Sequence, residues 1–436
     1  SFMKIKYKRF VKLIIFFILF FVLCEVAAFF LKNDTVCYSR TIGRDFWKQQ
    51  NIDILVCGAS HVSHGINAHI ADKKFNQNIF NSGTSSQSIN STYAIIRQAI
   101  KQYDIKKIFL ETDYQVACLP VPDELKMTRK DFLIMDFLRD KKIKNDYIFE
   151  SSSPKNLLNA YLPIGNYKEM NLEPKKIAKK IIYLFNGKYN QIDYKTKNTY
   201  YAGKGCLLDK EFISDGGFYA KSLRGGVDPI SSYWKDYVIK IINLCKENDI
   251  ELFFYTTPLS DFLLYQLGNY EDYHNEMKSF LENLGYCFYD FNLCKPEYSM
   301  SDSDFYDDNH LNKYGVEKFT EYFCDVFAKK MDLKNIFYKS YSEKILNSKD
   351  RIFGLIVTNL DDTFCLKPIT NVSDLSRIKY SVTLKNNENK FIIQNKNPSS
   401  DFILPNYKSN EMNIISYLDG EIQNTINIKF NKFGRY

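Results

Sequence analysis

Residues 13–31 (LIIFFILFFVLCEVAAFFL) form a run of nineteen residues in which Glu25 is the only charge. At about 1.5 Å per residue a helix over this run reaches roughly 28 Å, one hydrocarbon core. Lys4, Lys6, Lys8, Arg9 and Lys12 precede it with no acid among them, and only Lys32 and Asp34 follow closely. That asymmetry predicts a single-pass chain with a cytoplasmic N-terminus and everything after Lys32 outside the membrane. A cleaved signal peptide would carry a shorter apolar core and a small-x-small cleavage site. Leu23 is too large for the position before a lipidated cysteine at Cys24. Residues 1–32 are therefore expected to be a cytoplasmic basic stub and an uncleaved transmembrane anchor in the cell membrane. Glu25 reads either as a carboxylate snorkelling to the outer face or as a polar contact for a partner helix.

The formal charge of +8 owes five units to that stub, leaving +3 for the rest. A basic surface that neutralises many phosphates is excluded, and no nucleic-acid partner is expected. With 45% hydrophobic and 25% charged residues the composition is globular, which excludes intrinsic disorder, a coiled coil and a multi-span protein. The ten cysteines include no Cys-x-x-Cys pair and no zinc-ligand spacing. Disulfide pairing does not follow from spacing alone. Cys57 and Cys324 lie in apolar runs, where cysteine acts as a small hydrophobe.

From about residue 50 the pattern is α/β. Residues 51–58, 78–83, 106–113, 251–258 and 287–292 are short apolar runs that read as strands. Residues 87–103, 232–248, 272–286 and 316–331 have helical spacing between or after them. Such alternation predicts a parallel sheet covered by helices on both faces, over residues 50–335. Residues 120–230 interrupt it and are too long for a loop, so they read as a partly helical insertion. Within it, 174–185 is expected to be an amphipathic helix, with Ile177, Ile181, Leu184 and Phe185 on one side and Lys175, Lys176, Lys179 and Lys180 toward the other. Either a half-buried helix or a membrane-surface or partner-docking helix fits that pattern. Residues 345–436 alternate in short β runs, with Asn386–Asn389 and Asp419-Gly420 as turns, and predict a small all-β domain of sandwich type.

Three pieces carry chemistry. Gly58-Ala59-Ser60-His61 ends the first strand, and a serine in such a turn can project its hydroxyl above the sheet. A helix starting there would aim the Ser60 backbone N–H at developing negative charge. Asp307 stands three residues before His310, so its carboxylate can bond Nδ1 and leave Nε2 free to take a serine proton. Asp308 is an alternative partner of poorer spacing. Asn81-Ser82-Gly83 ends the second strand, where Gly83 can offer a backbone N–H to the same oxyanion. His61, His64 and His69 fall within nine residues, but no carboxylate close in sequence completes a metal set, and neither metal nor cofactor is expected.

In their order, strand–Gly-x-Ser, strand–Gly, strand–polar turn and Asp-x-x-His before a last helix, these pieces resemble the SGNH (GDSL-like) hydrolase superfamily. The resemblance covers roughly residues 50–330 without the insertion. It implies Ser60 as nucleophile, His310 as general base, Asp307 as its orienting acid, and Ser60 and Gly83 as oxyanion donors, with His61, Asn81 and Asp113 as neighbours of the site. The family's third block carries an Asn where this chain has Asp113, and an ionised Asp113 would repel an oxyanion unless protonated or turned away. The Gly-x-Ser-His turn, the altered third block and the single anchor are similar to the extracellular acyl-transfer subgroup. That subgroup includes the teichoic-acid D-alanylation and the alginate and peptidoglycan O-acetylation proteins. It implies transfer of an acetyl or D-alanyl group to a cell-envelope polysaccharide, beside a multi-span membrane-bound O-acyltransferase. A carbohydrate esterase with the same triad and a non-catalytic anchored scaffold are the competing expectations.

Overall fold

The computed structural model describes the protein except residues 1, 32–36, 121–123, 162–172, 191, 211–216, 329–330, 361–362, 387–388, 404–410 and 430–436. Lys32, Asp34 and the centre of the 386–389 turn lie outside the described residues. The chain opens with one helix, Phe2–Leu31, whose Tyr7–Phe30 stretch is long and apolar enough to cross a membrane. Its last turns meet the helix Pro174–Phe185: Cys24 and Ala28 are buried, and the Phe29 ring lies 5.1 Å from that of Tyr189. Lys180 departs from the expected basic face. It is buried, with Nζ 4.6 Å above Phe29 and 5.6 Å above Tyr189. Aromatic faces accept a desolvated ammonium, and the lysine stem covers apolar surface. Phe185 and Ile182 stay exposed, and so does Glu25.

Strands β1 (Ile54–Cys57), β2 (Ile79–Asn81) and β3 (Lys107–Glu111) are followed by β4 (Thr199–Gly203), β5 (Cys206–Asp209) and β6 (Phe218–Ala220), then by β7 (Glu251–Thr256) and β8 (Phe288–Asp290). The central sheet has the order β2-β1-β3-β7-β8, and every neighbouring pair is parallel. Alternation along each strand divides its side chains between two faces. Leu55, Cys57, Ile108, Leu110 and Phe254 share a core with the helices Ile89–Gln102, Ser232–Glu247 and Tyr270–Asn283. Ile54, Val56, Phe109 and Tyr255 pack on the other side against the helices Ala68–Phe75 and Lys313–Phe327. Both faces are apolar, which is why these strands read as continuous hydrophobic runs. The chain turns to opposite faces after β1 and β3, and such a switch point opens a crevice at the carboxyl ends of the strands.

Residues 120–230 hold several short helices, the antiparallel hairpin β4–β5 and strand β6. Beyond the α/β region come β9 (Ile352–Leu360), β10 (Thr363–Thr370), β11 (Ile378–Asn386), β12 (Asn389–Asn397), β13 (Asp401–Ile403), β14 (Glu411–Leu418) and β15 (Glu421–Lys429). They form two four-stranded sheets, β13-β10-β9-β6 and β12-β11-β14-β15. Leu355, Val357 and Leu366 of one sheet meet Val382, Leu384, Met412 and Ile414 of the other in a common core, a sheet-on-sheet packing. β6 joins from the insertion and runs parallel to β9, with Phe218 opposite Gly354. Asp419 and Gly420, both with positive φ, turn β14 into β15.

Candidate active site

β1 ends against Gly58, and the helix Ser60–Ser63 begins two residues later. Only a glycine fits at position 58: a Cβ there would stand 2.5 Å from Val62 Cγ2 and 2.6 Å from Glu111 Oε2. The tight turn lifts Ser60 to the sheet's carboxyl edge, where it stays partly accessible. As the first residue of a helix, Ser60 has a backbone N–H with no intrahelical acceptor. His310 arrives from the loop before the helix Lys313–Phe327, held by the antiparallel bridge Phe305–Leu311 and by the Tyr306 N–H donating to the His310 carbonyl.

The structure brings Ser60, His310 and Asp307 into line. His310 Nε2 is 3.0 Å from Ser60 Oγ, and Nδ1 is 3.1 Å from both oxygens of Asp307. These distances match a nucleophile–base–orienter set at hydrogen-bond range. Asp307 Oδ1 also accepts the backbone N–H groups of Asn309 and His310, at 2.9 and 2.7 Å. Burial pushes the Asp307 carboxyl up, but the hydrogen bonds and charge of His310 and these two N–H groups outweigh it and hold it at about 2. For His310, burial pushes the imidazole below its ordinary value, against the opposing pull of Asp307. The base is therefore neutral near pH 7, ready to accept a proton. Asp308 faces elsewhere: its carboxylate pairs with Arg224 at 2.7 Å, and its carbonyl accepts the Ser260 hydroxyl.

The second-strand turn plays a different part from the one expected. The Gly83 N–H donates to Asn81 Oδ1 at 3.0 Å, so it is engaged inside its own turn. Asn81 Nδ2 donates to the Val62 carbonyl at 2.5 Å and to that of Ile66 at 3.2 Å. Asn81 thus braces the segment carrying the nucleophile, and Gly83 packs behind it, where a Cβ would stand 2.6 Å from the Ala59 oxygen. Of the two expected donors, the Ser60 N–H alone has no partner among the described residues.

Both oxygens of Asp113 are engaged beside the site. Oδ1 accepts the Gln115 N–H at 2.9 Å, and Oδ2 lies 3.3 Å from His61 Nδ1. Glu111, at the end of β3, places Oε1 3.4 Å from the same nitrogen, while its Oε2 accepts the Ala59 N–H at 3.3 Å. Both residues flanking Ser60 are therefore tied to β3. All three members of this trio are buried. Burial works against a charged His61, but the Asp113 charge and hydrogen bond, joined by Glu111, override it and raise the imidazole well above its ordinary value. Burial raises Glu111 in turn, against the hydrogen bond from His61. The three ligand atoms lie within 4.8 Å of one another and would suit a divalent cation with neutral His61; with His61 protonated, the imidazolium supplies that positive charge.

The three histidines do not converge. His64 Nδ1 lies 2.5 Å from Asp209 Oδ2, and His69 Nε2 is 3.1 Å from the Ala202 carbonyl at the surface. The His64 ring centroid is 5.0 Å from that of His310, and the His61 centroid 5.3 Å. Sequence reasoning missed Glu111 and Asp209. The Gly203-Lys204-Gly205 turn signals the hairpin that carries Asp209, but nothing local pairs that carboxylate with a histidine 145 positions away.

No protein-family model matches the chain, and no curated protein matches it. Among solved structures it is similar to a candidate lipolytic protein of the G-D-S-L family from Desulfitobacterium hafniense DCB-2. The match has 8% identity and a TM-score of 0.30, over 64% of this chain and 100% of that one.

Proposed function

We propose that the protein is a serine acyltransferase of the SGNH hydrolase-like class. In this reading Ser60 takes an O-acetyl or D-alanyl group and passes it to a hydroxyl of a cell-envelope or secreted polysaccharide outside the membrane. The donor is delivered through a multi-span membrane-bound O-acyltransferase. The observation that carries the reading is the alignment of Ser60 Oγ, His310 Nε2 and Asp307 at 3.0 and 3.1 Å. Ser60 Oγ bonds to the acyl carbon as its proton passes to His310 Nε2, and His310 then protonates the departing donor oxygen. Asp307 holds the Nδ1 proton and supports the imidazolium between these steps. The Ser60 N–H, without a partner among the described residues, is the donor for the developing oxyanion. With Gly83 engaged by Asn81, the Ser60 N–H is the one of the two expected donors left for the oxyanion. The apolar helix beside the buried Lys180 supports work at a membrane.

Ser60→Ala tests the reading in cells. Acylation of the polysaccharide should vanish while protein level and membrane localisation stay unchanged, because loss of a nucleophile removes several orders of magnitude of rate. Unchanged acylation would favour a scaffold, and over-acylated polymer an esterase.

A further inference from the structure

Two histidine–carboxylate pairs stand side by side at the nucleophile, and the chemistry above uses one of them. His64 follows Ser60 by about one helical turn and caps the same short helix. Its Nδ1 lies against Asp209 Oδ2 at 2.5 Å, as the Nδ1 of His310 lies against Asp307. Asp209 is buried at the end of β5, and its other oxygen accepts the Thr199 hydroxyl. A carboxylate on Nδ1 fixes the proton there and leaves Nε2 as an acceptor. The His64 side chain keeps 11% of its exposure against 1% for Asp209, so the pair opens toward solvent at its histidine end. Its ring centroid lies 5.0 Å from that of His310, so two carboxylate-anchored imidazoles stand beside each other, one of them on the serine. Tyr38 meets His64 edge-on at 5.8 Å, and Tyr194 meets Tyr38 at 5.7 Å, so aromatic rings back the pair on that side.

We propose that His64, oriented by Asp209, binds a second hydroxyl of the acceptor, and that the acceptor presents a vicinal diol. The inference rests on the acyl-transfer reading of Ser60. After acylation, the acceptor hydroxyl nearest His310 gives its proton to Nε2 as its oxygen bonds to the acyl carbon. The bond from that carbon to Ser60 Oγ then breaks, and the proton returns from Nε2 to Oγ. The neighbouring hydroxyl donates to His64 Nε2 throughout and keeps its proton. A water molecule has one oxygen and a mono-alcohol one hydroxyl, so neither fills both places. The insertion, which supplies Asp209, Thr199 and Tyr194, thereby selects the acceptor.

The test is the partition of the acyl-enzyme, read with the detergent-solubilised full chain. p-Nitrophenyl acetate serves as donor, with vicinal cyclohexanediol or cyclohexanol at equal concentration as acceptor, and acetylated product and free acetate are measured by mass spectrometry. The parent protein should acetylate the diol at least about tenfold better than the mono-alcohol, the worth of one charge-supported hydrogen bond. In His64→Gln and Asp209→Asn that ratio should fall toward the statistical factor of offering two hydroxyls in place of one. It is a ratio of products from one intermediate, so it does not depend on how fast Ser60 is acylated or on the active fraction. A preference for the diol no larger than that statistical factor in the parent overturns the inference without needing any variant, and so does a ratio that survives in His64→Gln. Absence of any Ser60-dependent acyl-enzyme would instead overturn the acyl-transfer reading itself.

Discussion

His61→Ala removes the only cation from a buried trio. The side chains of His61, Glu111 and Asp113 are 2%, 1% and 4% exposed, so the variant leaves two buried carboxylates beside each other without that counter-charge. Stripping one partner from a buried ion pair costs about 3–5 kcal/mol. The relief open to the variant is proton uptake, and Glu111, already raised by burial, is the group to take it. That makes the cost depend on pH. In the parent, His61 has a raised folded value, so its contribution is fully present below about pH 6.5 and fades as pH climbs through that raised value. In the variant the carboxyl values rise in the fold above the ordinary range of about 4, and stability is lost as pH increases past them. Unfolding of the detergent-solubilised chain by urea, at about pH 5 and about pH 8, reads both effects. The expected loss is about 3–5 kcal/mol at the higher pH and clearly less at the lower one. Adding Glu111→Gln to His61→Ala should recover part of it by removing a charge that has no partner. A loss below about 1 kcal/mol at both pH values, the range of an ordinary surface change, would refute the trio as a buried ionic unit.

Asp307→Asn should lower ester turnover by roughly 10³–10⁴-fold, since the imidazole loses its oriented tautomer, while Asp308→Asn, whose carboxylate pairs with Arg224, should cost less than about tenfold. Equal losses in steady-state assays would reverse the assignment of the two carboxylates. The acid limb of kcat/KM should be centred below the ordinary imidazole value of about 6.5, with the rate rising through it as His310 loses its proton; a limb centred above about 7 would contradict the lowered value.

Much of the site is legible because its parts are local. Gly58-Ala59-Ser60 sits at the end of an apolar run, and Asp307 and His310 are three residues apart, so each half carries its own signal before the two meet across 250 positions. Asp113 could be recognised as unfit for an oxyanion, but which way it turns depends on Glu111 and His61, brought beside it by the β1–β3 pairing. Gly83 misled for a related reason: a glycine that permits close packing and one that offers an N–H look the same in sequence. β10 is a strand in spite of Pro368, a residue that argues against one. β13 pairs with β10 only at Thr363–Cys365, so Pro368 lies where that neighbour has ended. Lys180 was assigned to the wrong face because helical periodicity ranks side chains by polarity, whereas the aromatic surroundings of Phe29 and Tyr189 accept an ammonium.

The pairing of β6 with β9 sets an order of events during synthesis. Phe218 leaves the ribosome well before Gly354, its partner in the sheet, so β6 waits as an unpaired edge until the C-terminal strands follow. At about 5–20 residues per second, the 250 positions between Ser60 and His310 take roughly 12–50 s to translate. The nucleophile turn can be braced early by Asn81 and Glu111, which lie close behind it, yet it stays without its base throughout that interval. Stopping the chain before β9 would leave the insertion's edge strand uncovered and Phe218 without the backbone it lies against. Strands β9–β15 are thus made after the α/β region, and they close a sheet begun more than a hundred residues earlier.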